Sequence, residues 1–383
     1  MCNHGDIMNI LAVETSCDET ALAIISYNQD TQEVSALSHV VLSQAQKHAE
    51  FGGVFPSLAK REHAKNIVPV LEQALTEADL LQEGVTNHDE LNLGREPELQ
   101  TALENFFKTH EKPAIDHIVV TSGPGLEPAL WVGINFAKTL GTVWNVPVTP
   151  VNHMEGHVLS VLAPAKDQKT FTLKDFTYPA LSLLVSGGHT ELVLLKAPGE
   201  YERIGATQDD AAGEAFDKAA RILGLPYPGG PEVGKLALQG VPNDEISLPR
   251  PMLHTPNYNF SFSGLKTAVL YLVQNLGGLE NISEQTRADI AKEFQDAVIE
   301  VLIKKTMRAL DEYGATGLIV AGGVSANRLL RDTLTKEVEE RGAEIFLPAP
   351  GLSTDNALMI ALAGVQHLEH IPEDIQATGN WKL

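Results

Sequence analysis

The stretch Leu318-Ile319-Val320-Ala321-Gly322-Gly323 is a short apolar run that breaks on two glycines and then enters a helical pattern. The same plan stands 200 positions earlier, at Ile118-Val119-Val120-Thr121-Ser122-Gly123. An apolar run closed by a glycine turn reads as a buried strand feeding a helix. A second feature repeats with it. An apolar run at 9–14 ends in a polar turn, and two further runs follow at 21–26 and 34–43, which read as consecutive antiparallel strands. From Val13 to Val185 is 172 positions, and there Leu181-Ser182-Leu183-Leu184-Val185 runs into Ser186-Gly187-Gly188-His189-Thr190 and returns at 192–195. Identity between the halves is low, so it is the plan that repeats. Two similar α/β domains facing a central cleft are the expectation, one made of residues 1–160 with 350–383 and the other of 178–349. Glycine turns that close strands and open helices suit phosphate or nucleotide in that cleft.

Between these anchors, residues 57–78 read as a helix that Pro69 can kink. Residues 82–112 are polar and read as an inserted surface segment without regular periodicity.

Composition bounds the class. At ~150 residues per domain, 383 residues suggest two or three domains. With 43% hydrophobic and 20% charged residues, disordered, collagen-like and coiled-coil chains are excluded. No apolar run approaches the ~18 residues of a membrane span. The first residues lack the basic and apolar regions of a signal peptide. Cys2 and Cys17 are the only cysteines, too few for a disulfide framework. A cytoplasmic protein with no membrane part is the expectation.

Charge is the odd feature. Fifty acidic against 28 basic residues leave −22, with a pI near 4.9. Such a chain repels phosphate backbones at long range unless a local patch or a partner supplies positive surface. Basic residues gather at Lys60, Arg61, His63 and Lys65, and at Lys304, Lys305 and Arg308. Either group reads first as a solvated helix face.

The sharpest chemical signal is His153-Met154-Glu155-Gly156-His157. Histidines four apart share a helical face, the spacing of two ligands to one metal. Packing or capping near a helix start fits the spacing as well. A zinc-peptidase pattern needs glutamate directly after the first histidine, and Met154 stands there. The turns at 186–190 and 322–327 each fit an anion cradle or an ordinary tight turn, and as a symmetric pair they favour a nucleotide cleft. Gly229 to Lys235 matches G-x-x-x-x-G-K, but Leu236 replaces the Ser/Thr that binds magnesium, and the stretch does not follow a strand. It is not a Walker A loop. Residues 211–221 read as an amphipathic helix in which Asp217 and Arg221 can pair. The serine-spaced Phe260 and Phe262 read as core. Residues 353–357 look like a helix start capped by Ser353 or Thr354, with Asp355 as dipole complement or ligand.

Taken in order, Val13 to Thr20, His153 to His157, Val185 to Thr190, Gly213 to Arg221, Tyr227 to Pro231, Phe260 to Lys266, Gly322 to Arg328 and Ser353 to Ala357 resemble the tRNA threonylcarbamoyladenosine transferases, the bacterial TsaD family once called O-sialoglycoprotein endopeptidases. The resemblance spans nearly the whole chain. It implies the two-domain fold of actin, Hsp70 and sugar kinases. It implies transfer of a threonylcarbamoyl group from threonylcarbamoyl-AMP to the exocyclic amine of the adenosine beside the anticodon, in tRNAs reading codons that start with A. It implies that His153, His157 and Asp355 hold one metal ion per subunit, iron or zinc with iron ahead of zinc. Leu184, Val185, Ser186, Gly187, Gly188, Asp217, Gly230 and Asn327 match the substrate and nucleotide contacts. A TsaB-like paralogous subunit and a TsaE-like ATPase are the implied partners.

Three rivals differ in what they need. A metalloendopeptidase needs a general base beside the metal. A kinase or ATPase of the same fold usually opens with an Asp-x-Gly phosphate turn, where this chain has Glu14-Thr15-Ser16. A nucleotide-binding scaffold would bind ATP without modifying tRNA.

Overall fold

The computed structural model describes residues 7–49, 51, 53–94, 96–162, 169–172, 176–197, 199–348 and 352–383. The chain divides into two compact units, Met1–Lys174 with Asp355–Leu383, and Asp175–Thr354.

The first unit opens with β1 (Ile7–Glu14), β2 (Glu19–Asn28) and β3 (Glu33–Ser43), then α1 (Ala45–Ala49), α2 (Pro56–Glu77) and α3 (Pro97–Thr109). It continues with β4 (His117–Gly123), α4 (Glu127–Trp144), β5 (Val148–Asn152), α5 (His153–Val161) and β6 (Thr170–Thr172). The second unit holds β7 (Ala180–Val185), β8 (Thr190–Ala197), β9 (Glu200–Ala206), α6 (Ala212–Ile222), α7 (Gly229–Ala237), α8 (Ser263–Asn275), α9 (Glu284–Tyr313), β10 (Gly317–Ala321), α10 (Arg328–Glu340) and β11 (Glu344–Phe346). The last helix, α11 (Ala357–Gly364), belongs to the first unit.

The repeat is plain in the sheets. One runs β5-β4-β1-β2-β3-β6 and the other β11-β10-β7-β8-β9. In each, the first strand pairs antiparallel with its hairpin neighbour and parallel with the strand that the glycine turn ends. That shared order is the duplicated α/β plan of actin, Hsp70 and sugar kinases. A parallel neighbour needs a crossover, and the helices before β4 and β10 supply it.

In the first unit, α2, α3 and α4 lay an apolar face on the sheet around Leu71, Phe107, Phe136 and Trp144. In the second, Phe216 of α6 meets Phe294 of α9 edge to face, ring centres 5.2 Å apart, over Leu183 and Val320. Ser283 caps α9 by accepting from Thr286 N, and Gly314 closes it in the left-handed region at φ 61°. No helix among the described residues is long and apolar enough to cross a membrane.

Three expectations need correction. Residues 82–112 are not merely an aperiodic surface insertion, because α3 lies within them. Leu99, Leu103, Phe106 and Phe107 stand at helical spacing and are buried in the core against α2. The cap of the last helix is neither Ser353 nor Thr354 but Asn356, whose side chain accepts from Met359 N at 3.0 Å. The basic groups are only partly surface. His63 and Lys305 are buried, Lys305 donating to Thr255 Oγ1 at 2.9 Å and to Asn257 O at 3.0 Å. Burial pushes the Lys305 ammonium down to about 8. A second insertion, expected at 163–177 from the family resemblance, falls largely on 163–168 and 173–175, outside the described residues.

Candidate metal centre

α5 begins directly after β5, so its first turn sits at the end of the parallel half of the sheet. Asn152 caps it, accepting from Met154 N at 2.8 Å and Glu155 N at 3.3 Å. The cap orients the first turn, and His153 and His157 then share one face, their rings 4.7 Å apart and perpendicular. Gly156, between them, allows α11 to approach. A Cβ there would meet Ile360 Cδ1 and Met359 Cγ within 3.1–3.2 Å. The close packing brings Asp355, one residue before the Asn356 cap, onto the histidines. Asp355 Oδ1 lies 3.1 Å from His157 Nε2 and 3.5 Å from His153 Nε2.

His153, His157 and Asp355 thus offer three ligand atoms within 4.8 Å of one another, on buried or half-buried side chains. Glu14, at the end of β1, completes the arrangement. Its Oε2 accepts from His153 Nδ1 at 3.0 Å and from Thr121 Oγ1 at 2.6 Å, and its Oε1 accepts from Ser16 N at 2.5 Å. Ser16 Oγ lies 3.2 Å from the same imidazole nitrogen. A carboxylate on Nδ1 settles the tautomer and turns Nε2 toward the other ligands, the usual backing of a metal-bound histidine.

Electrostatics favour a cation here. Burial opposes the charge on Asp355, but His153 and His157 outweigh it and hold the carboxyl well below the usual range. Burial likewise opposes charge on His153, and Asp355 and Glu14 overcome it, holding the imidazole well above its usual value. Glu14 is lowered against burial by His153. Burial, Asp355 and Asp18 together push the Glu19 carboxyl up to about 10. Carboxylates crowd a buried space that a positive charge would relieve. With two imidazole nitrogens and a carboxylate oxygen, the donor set fits a single metal ion.

Glu155 does not join this group. Its Oε2 accepts from His367 Nε2 at 2.8 Å, on the segment after α11. Glu14, Ser16 and Thr121 were not singled out for a role by sequence reasoning. Their signal was positional: Glu14 and Thr121 end neighbouring parallel strands in the half of the sheet that leads into α5.

The other candidates lie in the second unit, around the ends of β7 and β10. Gly213 N donates to Ser186 O at 3.1 Å. Gly322, at φ 92°, passes so close to Val185 O that a Cβ would sit 2.5 Å from it. Strand ends and the start of α6 therefore close on one another. Around Gly187, Gly188 and Gly323, by contrast, nothing among the described residues beyond their chain neighbours lies within 4 Å of where a Cβ would be, so each is open on that side, although Gly187 N and Cα pack on Gly213. Leu184 and Val185 are buried strand residues. Asp217 Oδ1 accepts from Gly229 N at 2.6 Å, at the start of α7, and Gly230 next to it is open. Asn327 Oδ1 caps α10 by accepting from Leu330 N, while its Nδ2 donates to Gln295 Oε1 at 2.9 Å.

The fold and this centre define a two-unit α/β protein with a buried site able to hold a metal. Comparison with known proteins names its class further. The family model for TsaD, tRNA N6-adenosine threonylcarbamoyltransferase, matches residues 35–87 and 96–362. The chain is 43% identical over 364 residues to the tRNA N6-adenosine threonylcarbamoyltransferase of Chromobacterium violaceum, covering 94% of each. It is 43% identical over 383 residues to that of Ralstonia pickettii, covering 98% of each. Among solved structures it resembles full-length HypF in a phosphate- and nucleotide-bound form (TM-score 0.53, 11% identity) and HypF of T. kodakarensis (TM-score 0.53, 14% identity). It covers 96% of this chain in both cases but 47% and 48% of theirs, and the likeness is one of fold. The chain belongs to the tRNA N6-adenosine threonylcarbamoyltransferase family, and is a transferase that modifies tRNA.

Proposed function

We propose that this chain transfers the threonylcarbamoyl group of threonylcarbamoyl-AMP to the N6 amine of the adenosine beside the anticodon, in tRNAs reading codons that start with A. The observation that carries this is the group His153, His157 and Asp355, backed by Glu14, in a chain of this family. These three residues would hold one metal ion per subunit. Mixed nitrogen and oxygen ligation suits iron or zinc, and the family resemblance favours iron. When bound, such an ion supplies Lewis-acid polarisation of the acyl donor and keeps coordination positions open to it.

The protein's own contribution is orientation. The donor is already a mixed anhydride, so no covalent protein nucleophile is needed. An adenine amine is a poor nucleophile because its lone pair is delocalised into the ring, and it gains most from being held in line with the acyl carbon. Glu14, accepting from Nδ1 of His153, leaves Nε2 as the nitrogen that would face the metal. In the second unit, the open backbone at Gly187, Gly188 and Gly230 can approach phosphate or base closely, beside Leu184, Val185 and Ser186. Asp217 is assigned to ribose hydroxyls, and Asn327 to nucleotide without a particular group. Both also serve the fold, Asp217 at the start of α7 and Asn327 as a cap.

Work on tRNA supports a cytoplasmic location. Its net charge of −22, with two of its few clustered basic side chains buried, supports a need for partners, a TsaB-like paralogous subunit and a TsaE-like ATPase. Peptide hydrolysis is not favoured, since Met154 stands where the base should be and Glu155 is bound to His367. The test is incubation of tRNA and threonylcarbamoyl-AMP with the chain and those partners, followed by mass spectrometry of the nucleosides. Modified adenosine is expected; peptide cleavage without it would overturn the proposal.

A further inference from the structure

The turn between β1 and β2 carries Ser16, which touches His153, and follows Glu14, which holds it. Three consecutive carbonyls of this turn are each held by a different element. Ser16 O accepts from Leu126 N at 2.8 Å, just before α4. Asp18 O accepts from Gln44 N at 2.8 Å, just after β3. The middle one, Cys17 O, accepts from a side chain: His63 Nε2 of α2, at 3.0 Å.

His63 is fully buried and its hydrogen bonds define its state. A carbonyl oxygen only accepts, so Nε2 carries the proton, and Nδ1 is left as the acceptor for Thr20 Oγ1 at 2.7 Å and Gln44 Nε2 at 3.2 Å. Burial pushes the imidazole down to about 4, so the ring is neutral. Gln44 Oε1 is reached in turn by His48 Nε2 at 3.2 Å, and His48 Nδ1 accepts from Phe55 N. Thr20, Gln44, His48 and His63 form a buried polar ladder beneath the turn. A buried polar group costs stability unless it is bonded, and both ring nitrogens of His63 are bonded.

We propose that His63 is a positioning residue for the metal centre, fixing the 15–18 turn through Cys17 O so that Glu14 and Ser16 keep His153 in its ligand orientation. This rests on His153, His157 and Asp355 holding a metal. It makes His63 part of the machinery although it touches neither ligand nor substrate. His63→Leu keeps the volume and removes all three hydrogen bonds, whereas His63→Gln keeps an N–H donor at the Nε2 position.

The probe is Co²⁺ added to the full-length protein, read by its d–d absorption and by titration, with far-UV circular dichroism for the fold. Wild type should bind one Co²⁺, and Asp355→Ala should lose it. His63→Leu should stay folded, bind Co²⁺ at least tenfold more weakly and show shifted d–d bands, while His63→Gln recovers most of both. Should His63→Leu not fold, Gln44→Met, one step along the ladder, should show a smaller shift in the same direction. An unchanged Co²⁺ spectrum and affinity in folded His63→Leu, or in Gln44→Met where His63→Leu does not fold, would overturn the positioning role and leave the metal seat standing. Wild type that binds no Co²⁺, or Asp355→Ala that binds it equally, would overturn both.

Discussion

Glu14 shows most sharply how a single side chain sets this centre. One carboxylate accepts from His153, Thr121 and Ser16 at once, so it links β1, β4, the turn after β1 and α5. Glu14→Gln keeps the shape but turns an N–H₂ toward at least one donor. Metal binding should weaken about tenfold with the fold intact, as titration of the stripped protein would show; unchanged affinity would remove Glu14 from the site. Asp217→Ala should weaken adenine nucleotide binding while metal content stays the same, and equal nucleotide affinity in calorimetry would refute the ribose role. The three proposed ligands could be named from sequence because two histidines four apart and a distant aspartate match a family pattern, and the fold brings them within 4.8 Å of one another. Glu14 was not, since a glutamate closing a strand carries no spacing signal, and its partners lie 107 and 139 positions away. His63 was misread for a similar reason. In a row of Lys60, Arg61, His63 and Lys65 it looked like part of a basic face, yet helical geometry turns it inward while Arg61 and Lys65 stay exposed.

At the scale of elements, the strands and their glycine turns could be read almost directly, because short apolar runs and missing side chains leave a strong local mark. α3 could not. Its apolar residues, Leu99, Leu103, Phe106 and Phe107, are spread through a polar stretch, and only helical spacing gathers them onto one face. That face is structural. Phe107→Ala should cost about 3–5 kcal/mol of unfolding free energy, measured by urea denaturation; a cost under about 1 kcal/mol would return this segment to a surface insertion. The Asn356 cap lies two residues after Thr354 and three after Ser353, the caps expected from sequence. It matters because the true cap leaves Asp355 outside the helix, where its carboxylate can turn to the histidines.

For the whole molecule, charge is the governing fact. Association with tRNA is driven largely by phosphate neutralisation, and a chain at −22 has little to offer. Lys305 and His63 are buried, Lys60 faces Glu96, and Lys304 is paired with Glu300, so the clusters are smaller than the sequence suggests. The chain alone should therefore bind tRNA weakly at near-physiological salt and turn over little, and its partners should restore both. Tight binding and full turnover by the isolated chain would contradict this. The duplicated sheets were legible because the same plan occurs twice, and each copy supports the reading of the other.

The most direct test joins metal to transfer. Wild type and Asp355→Ala, stripped of metal, are assembled with partners, tRNA and threonylcarbamoyl-AMP, and iron or zinc is titrated back while modified adenosine is counted by nucleoside mass spectrometry. Wild-type product should rise with metal to one equivalent per chain, and Asp355→Ala should bind little metal and form little product at any dose. Full transfer by Asp355→Ala, or by wild type kept free of metal, would contradict the account.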